Sequence, residues 1–311
     1  MKRLFEIKEY VMTDIIVVGA GPAGLTAALY AARANKSVKV FEKATFGGQI
    51  NFSPKIENYP GSIEISGTEL ADKLVEQVLE QGVDIDLEEV VGIKDNGKTK
   101  TVITDCGEHE CLAVVIATGA HHRRLGLEGE EKFEGQGISF CAVCDGAFFE
   151  GQHVIVVGGG NSALQEAILL SELCSKVTIV QNLPTFTGEE KLVKILEKKS
   201  NVEAIFGTVV KGILGDDTFK GAILDCDGVE TKLEADGMFV AIGLAPENKA
   251  FETVAELDRI GYVVSDESCT TKTDGVFVAG DCRTKTIRQI ATAIADGAVS
   301  ALSAVRYIDS L

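Results

Sequence analysis

Short β-branched runs, each followed by a cluster of glycines and then by a longer segment of helical character, recur along the chain. Residues 15–18 (Ile, Ile, Val, Val) form an unbroken apolar run of strand length, as expected for a parallel strand buried on both faces. Gly19, Gly21 and Gly24 mark a turn after it, residues 22–34 have the alanine-rich make-up of a helix, and residues 37–42 read as the next strand. The pattern returns with residues 154–157 as strand, Gly158, Gly160 and Ala163 as turn, a helix to about Leu173, and residues 176–180 as strand. Gly19 maps to Gly158 and Gly24 to Ala163, 139 positions on in both cases. Strands alternating with helices in this way predict an α/β architecture built from two copies of one unit.

The first unit has the features of a dinucleotide-binding turn. Its first glycine permits the sharp bend, its second lets backbone approach a pyrophosphate, and its third lets the helix pack closely on the strand. Glu42 stands 23 residues after Gly19, where a carboxylate accepts hydrogen bonds from an adenosine ribose. In the second unit the counterpart of Glu42 is Gln181, and residues 181–188 carry no charge of either sign. A ribose with free hydroxyls calls for a carboxylate there, and a 2′-phosphate calls for arginines. Two readings therefore stay open for the second turn: weak binding of a pyridine nucleotide, or glycines kept for packing alone.

Between the two turns stand Cys141, Ala142, Val143 and Cys144, followed by Asp145 and Gly146. Two cysteines with two residues between them can close a small redox disulfide, with an adjacent acid to move the proton. The alternatives are a half zinc site, or two buried thiols that never react. The four histidines, His109, His121, His122 and His153, make no pair at zinc-finger spacing, and there is no second Cys-x-x-Cys, so the expectation is redox chemistry and no metal.

At 311 residues the chain suits two domains, and the formal charge of −17 argues against a nucleic-acid-binding surface. No run of eighteen apolar residues suggests a membrane span, and eight cysteines without framework spacing suit a reducing cytoplasm. Residues 1–11 mix charged and apolar side chains and read as an extension, not a secretory signal.

Gly47-Gly48-Gln49, Glu57-Asn58-Tyr59-Pro60-Gly61, Ala117-Thr118-Gly119-Ala120, Cys141-Ala142-Val143-Cys144-Asp145-Gly146, Gly280-Asp281 and Arg288-Gln289 stand in an order that resembles the low-molecular-weight thioredoxin reductases, from about Thr13 to the C-terminus. That resemblance implies two Rossmann-like, three-layer ββα nucleotide-binding domains, the second inserted in the first. The expected FAD domain is 1–121 with 246–311, and the redox domain 122–245. It implies FAD held by Gly19, Gly21, Pro22, Ala23, Gly24, Glu42, Lys43, Gly48, Gln49, Asn58, Thr118, Gly119, Gly280, Asp281, Arg288, Gln289 and Ile290. It further implies a homodimer in which Cys144 faces the flavin, Asp145 shuttles the proton and Cys141 attacks thioredoxin.

NADPH-dependent members carry a His-Arg-Arg run and a further Arg where this chain has residues 181–187, so the chain resembles the branch in which reduced ferredoxin supplies electrons. A ferredoxin near about −400 mV and a thioredoxin near about −270 mV differ by ~130 mV, or ~6 kcal/mol for two electrons, so that transfer runs downhill. Within the same fold, an NADPH-dependent reductase and a flavin dithiol oxidase are the alternatives.

Other residues have plainer readings. Cys106, His109 and Cys111 are expected in a surface turn before a strand at residues 114–117, and Cys174, Cys226, Cys269 and Cys282 in the core. His121, His122, Arg123 and Arg124 form a short basic cluster, a docking candidate for an acidic electron carrier.

Overall fold

The computed structural model describes residues 12–53 and 56–311, so the expected extension at 1–11 lies outside the described residues. The chain divides into two compact units, one made of Met1–Asn51, Thr68–Ala120 and Pro246–Leu311, the other of Phe52–Gly67 and His121–Ala245.

In the first unit the strands Asp84–Leu87, Val38–Glu42, Thr13–Val18, Glu108–Ile116 and Val276–Val278 lie parallel in that order. The antiparallel hairpin Val90–Asp95 and Lys100–Thr104 extends the sheet from Glu108–Ile116. The strand period of two divides the first apolar run between two cores: Ile15 and Val17 join one cluster, Ile16 and Val18 the other. Both faces are covered, which is why that run shows no polar alternation. The helix Pro22–Arg33 packs along the C-terminal helix Ile290–Asp309, and both contribute alanines to the first of these clusters.

The second unit repeats the design. Its parallel sheet runs Val202–Ile205, Lys176–Val180, His153–Val157, Gly237–Val240, Ile138–Ser139, with the helix Asn161–Leu173 against it. Three antiparallel strands follow, Thr208–Leu214, Gly221–Cys226 and Val229–Glu234.

Two cysteine expectations are corrected. The strand expected at 114–117 begins at Glu108, so His109 and Cys111 are strand residues, and Cys111 is fully buried in register with Thr13 and Lys100. The charged residues Glu108 and Glu110 on its solvent-facing positions disguised that strand as a turn. Cys226 is exposed, because it ends a strand at the turn of Asp227 and Gly228. Among the described residues no helix is long and apolar enough to cross a membrane.

The two long helices of the first unit meet at Gly297, where an added Cβ would come within 2.3 Å of the Ala23 carbonyl oxygen and 2.9 Å of Thr26 Cβ. Gly297→Ala gains about 1 kcal/mol of helix propensity, but overpacking against backbone costs about 1–3 kcal/mol or more. Because the clash is with backbone that cannot rotate away, the upper part of that cost, about 2–3 kcal/mol, applies, and the net expectation is a protein about 1–2 kcal/mol less stable, read as a lower midpoint in urea unfolding. An unchanged or higher midpoint would show that the two helices separate without cost.

Candidate functional site

The first glycine turn leaves the C-terminal edge of the sheet. Gly19 adopts φ 105°, and a Cβ there would lie 2.4 Å from the Ala117 carbonyl oxygen, while a Cβ on Gly24 would lie 1.8 Å from the Gly19 carbonyl oxygen. Gly21 differs: nothing lies within 4 Å of its ideal Cβ position, and as N-cap of Pro22–Arg33 it offers no side chain to the helix start. Open space above uncapped N–H groups is a site for a pyrophosphate. Glu42 at the next strand end accepts from the N–H of Ala20 (2.8 Å) and of Ala44 (2.9 Å), so the carboxylate expected to meet a ribose also braces the turn. Lys43 beside it pairs with Glu247.

A cavity of about 480 Å³ opens here, lined among others by Gly19, Glu42, Lys43, Glu88, Thr118 and Pro246. Gly48 lies over the turn, its ideal Cβ position 3.3 Å from Gly21 Cα, and the N–H of Gly47 donates to the Ala20 carbonyl (2.8 Å). Gln49 follows in the short 3-10 helix Gly48–Phe52. Thr118 Oγ1 donates to Asn248 Oδ1 (2.8 Å), and Asn248 Nδ2 donates to the carbonyls of Gly261 and Cys282 (both 2.9 Å). Asn248, almost fully buried, has no motif around it in the sequence; only the contact with Thr118 reveals its part.

On the other side of the same helix start, Gly280 sits at φ 79° with its ideal Cβ position 2.7 Å from Ala23 Cβ. Asp281 follows, with Oδ1 buried and without a hydrogen-bond partner. Burial pushes its carboxyl up to about 6, against the pull of Lys285 and Arg288. Arg288 stacks over Tyr262 (4.2 Å) and donates to the Asp281 carbonyl, and Gln289 caps the helix Ile290–Asp309 in a capping box with Thr292. The turn, the space over Gly21 and the orphaned Asp281 oxygen fit a dinucleotide such as FAD. Of the residues expected to hold it, Asn58 falls in the segment Phe52–Gly67 and the others in the first unit.

Cys141 and Cys144 form a disulfide with Cα atoms 5.3 Å apart. Cys141 is the N-cap of the single helical turn Ala142–Asp145, with the N–H of Cys144 donating to its sulfur (3.2 Å). Ala142 is buried beneath while Val143 stands exposed at the tip. Asp145 accepts from Ser139 Oγ (2.6 Å), which itself accepts from the Cys141 N–H (3.1 Å); its other oxygen is buried without a partner. Burial raises the Asp145 carboxyl above the ordinary range and the Ser139 hydroxyl holds it partly down. Ser139 escaped the sequence reading because a serine two positions before a cysteine carries no pattern of its own.

At the second turn Gly160 (φ −84°, ψ −179°) repeats the conformation of Gly21 (φ −79°, ψ −178°). Its surroundings differ. The Gln181 side chain is buried over Gly159, whose ideal Cβ position lies 2.3 Å from Gln181 Nε2. The N–H groups of Thr187 and Gly188 both donate to the Gly159 carbonyl (2.8 and 3.0 Å), and Asn161 at the helix start is bonded reciprocally with Glu189 (2.7 and 3.0 Å). A carboxylate thus stands beside the start of the helix Asn161–Leu173.

Within the basic cluster His122 stacks on Phe140 (5.3 Å) and burial lowers it to about 4, Arg124 pairs with Glu131 and Glu134, and Arg123 is exposed. Glu88, Asp105 and the Cys106 sulfur converge beside the hairpin turn, a grouping the sequence hid because Glu88 comes from another strand end.

A dinucleotide turn with a redox disulfide and its acid defines a flavin-dependent disulfide oxidoreductase. The pattern of the pyridine nucleotide-disulphide oxidoreductase family matches residues 13–297. The chain is 39% identical over 301 residues to a thioredoxin reductase of Listeria innocua, covering 96% of this chain and 94% of that one. It is 40% identical over 307 residues to a 34.2 kDa protein in a rubredoxin operon of Clostridium pasteurianum, covering 97% and 99%. The thioredoxin reductase structure from Streptococcus pyogenes superposes with a TM-score of 0.92 at 39% identity, over 97% of this chain and 100% of that one. The chain belongs to the low-molecular-weight thioredoxin reductases, and its cofactor is FAD.

If Asp145 delivers the proton, its raised carboxyl keeps it protonated to higher pH than an ordinary aspartate. Ser139→Ala removes the bond that stabilises the carboxylate, so the alkaline limb of dithiol–flavin exchange moves to higher pH. Asp145→Asn slows that exchange about 10²–10⁴-fold. Anaerobic stopped-flow reoxidation of the reduced flavin by the Cys141–Cys144 disulfide across pH checks both, and an alkaline limb unmoved by Ser139→Ala would remove Asp145 from the proton path.

Proposed function

We propose that the protein reduces thioredoxin with electrons taken from reduced ferredoxin instead of NADPH. The observation that carries this reading is the second glycine turn, where Gln181 lies against Gly159, Thr187 and Gly188 donate to the Gly159 carbonyl, and Glu189 is bonded to Asn161 at the helix start. No arginine stands at that strand end to receive a 2′-phosphate. The Clostridium pasteurianum relative is described as a protein in a rubredoxin operon, which supports the same direction.

In this reading FAD is held by the first turn with Glu42, Gly48, Gln49, Thr118, Asp281 and Gln289. Held there, FAD would supply the conversion of single electrons into a pair. The chain's own residues do the rest. Cys144 takes the pair as the Cys141–Cys144 bond breaks, Asp145 supplies the proton, and Cys141 attacks the thioredoxin disulfide. Cys144 then closes the ring again by displacing the reduced thioredoxin.

A second reading keeps NADPH as donor, and the matching conformations of Gly160 and Gly21 favour it. Anaerobic titration of the yellow protein with NADPH, NADH and reduced ferredoxin in parallel separates the two. Ferredoxin should bleach the flavin stoichiometrically and micromolar NADPH should leave it oxidised; rapid, saturable bleaching by NADPH would sink the ferredoxin reading.

A further inference from the structure

We propose that Asp296 is a positioning residue for FAD: from the C-terminal helix it gathers the Gly280 N–H, Arg283 and Lys285 into one buried cluster and so fixes Asp281 and the local charge beneath the cofactor. Asp296 Oδ2 accepts from the Gly280 N–H (3.0 Å), Arg283 Nε (2.9 Å) and Lys285 Nζ (2.8 Å), and Oδ1 accepts from Arg283 Nη2 (2.9 Å). The side chains of Arg283, Asp296 and Lys285 are 3%, 8% and 7% exposed. Four charge-assisted bonds on one carboxylate are more than helix attachment requires, and buried charges are kept only where they are matched.

The loop so tied, residues 280–285, carries Asp281 with its orphaned oxygen. It is also the loop in which Gly280 touches Ala23 at the start of the first-turn helix. Tethers therefore hold Asp281 on both sides, the Gly280 backbone one residue before it and the Arg283 and Lys285 side chains two and four residues after it. The cluster also acts through its field. Burial pushes the Asp296 carboxyl up, but Arg283 and Lys285 more than reverse this and keep it ionised. Arg283 is held charged in turn, chiefly by its bonds to Asp296. Asp281 lies within reach of the same field, raised by Asp296 and lowered by Lys285 and Arg288. One anion thus cancels part of two cations next to the residue expected to touch FAD. This rests on FAD as cofactor and is independent of which donor reduces it.

Asp296→Asn keeps the shape and removes the charge. The holoprotein variant should bind FAD about ten- to a hundredfold more weakly, read by flavin fluorescence on titrating apoprotein. Its flavin midpoint potential should move positive, because Lys285 loses its anionic partner and Arg283 keeps only the exposed Glu267 at 3.4 Å, beside the added charge of reduction. Lys285→Met in the same chain should bring the potential back. Affinity within about twofold of the parent with an unmoved potential would overturn the proposal. A weakened affinity with an unmoved potential would overturn it too, by reducing Asp296 to a scaffold residue. Should Asp296→Asn yield no folded protein, Lys285→Met alone tests the same field with opposite sign: the potential should move negative, and its constancy is equally fatal.

Discussion

Everything at the cofactor end of the molecule depends on how closely the helix Pro22–Arg33 can approach the end of the strand Thr13–Val18. Side chains at Gly19 and Gly24 would collide with backbone oxygens at 2.4 and 1.8 Å, so the approach exists only because both are glycine. The same closeness brings uncapped N–H groups to the sheet edge and lets Gly48 and Gly280 close in from two sides. Glu42, bonded to the N–H of Ala20, braces the turn with the carboxylate expected to meet the adenosine ribose. A single steric allowance therefore organises binding groups contributed by distant parts of the chain.

The second turn shows how little of that function the backbone alone secures. Its glycine conformation matches the first, yet a buried glutamine and two backbone bonds to Gly159 fill the region, and Glu189 adds negative charge at the helix start. The dithiol is prepared in the opposite way, by polar groups. Ser139 links the Cys141 N–H to the Asp145 carboxylate, so the orientation of the acid and the backbone at Cys141 are set by one hydroxyl. The exposed Val143 and buried Ala142 place the disulfide at a tip whose base is anchored in the sheet of the second unit.

Much of this was legible along the chain. The strand–turn–helix units appeared from continuous apolar runs and glycine spacing, since a parallel strand covered on both faces has no polar positions to blur it. Glu42, Cys141, Cys144 and Asp145 were legible because their spacing is itself the chemistry. Cys111 was misplaced because solvent-facing glutamates on one side of its strand mimic a turn, and Cys226 because an apolar neighbourhood in sequence does not reveal a strand end. The histidines of the basic cluster seemed a charged surface, but packing against Phe140 removes the charge from His122.

By itself the sequence determined the α/β class, the duplicated unit, the redox dithiol and the missing cationic handle at Gln181, because each is written in local spacing or in residue type. Tertiary structure alone decided that Asn248 supports Thr118, that Ser139 reaches Asp145, that Asp296 gathers two cations under Gly280, and that residues 181–189 fold back on the second turn. Those pairings join chain segments whose closeness is set by packing of the sheets and helices, and the strength of a buried charge or hydrogen bond depends on the low-dielectric surroundings that only packing creates.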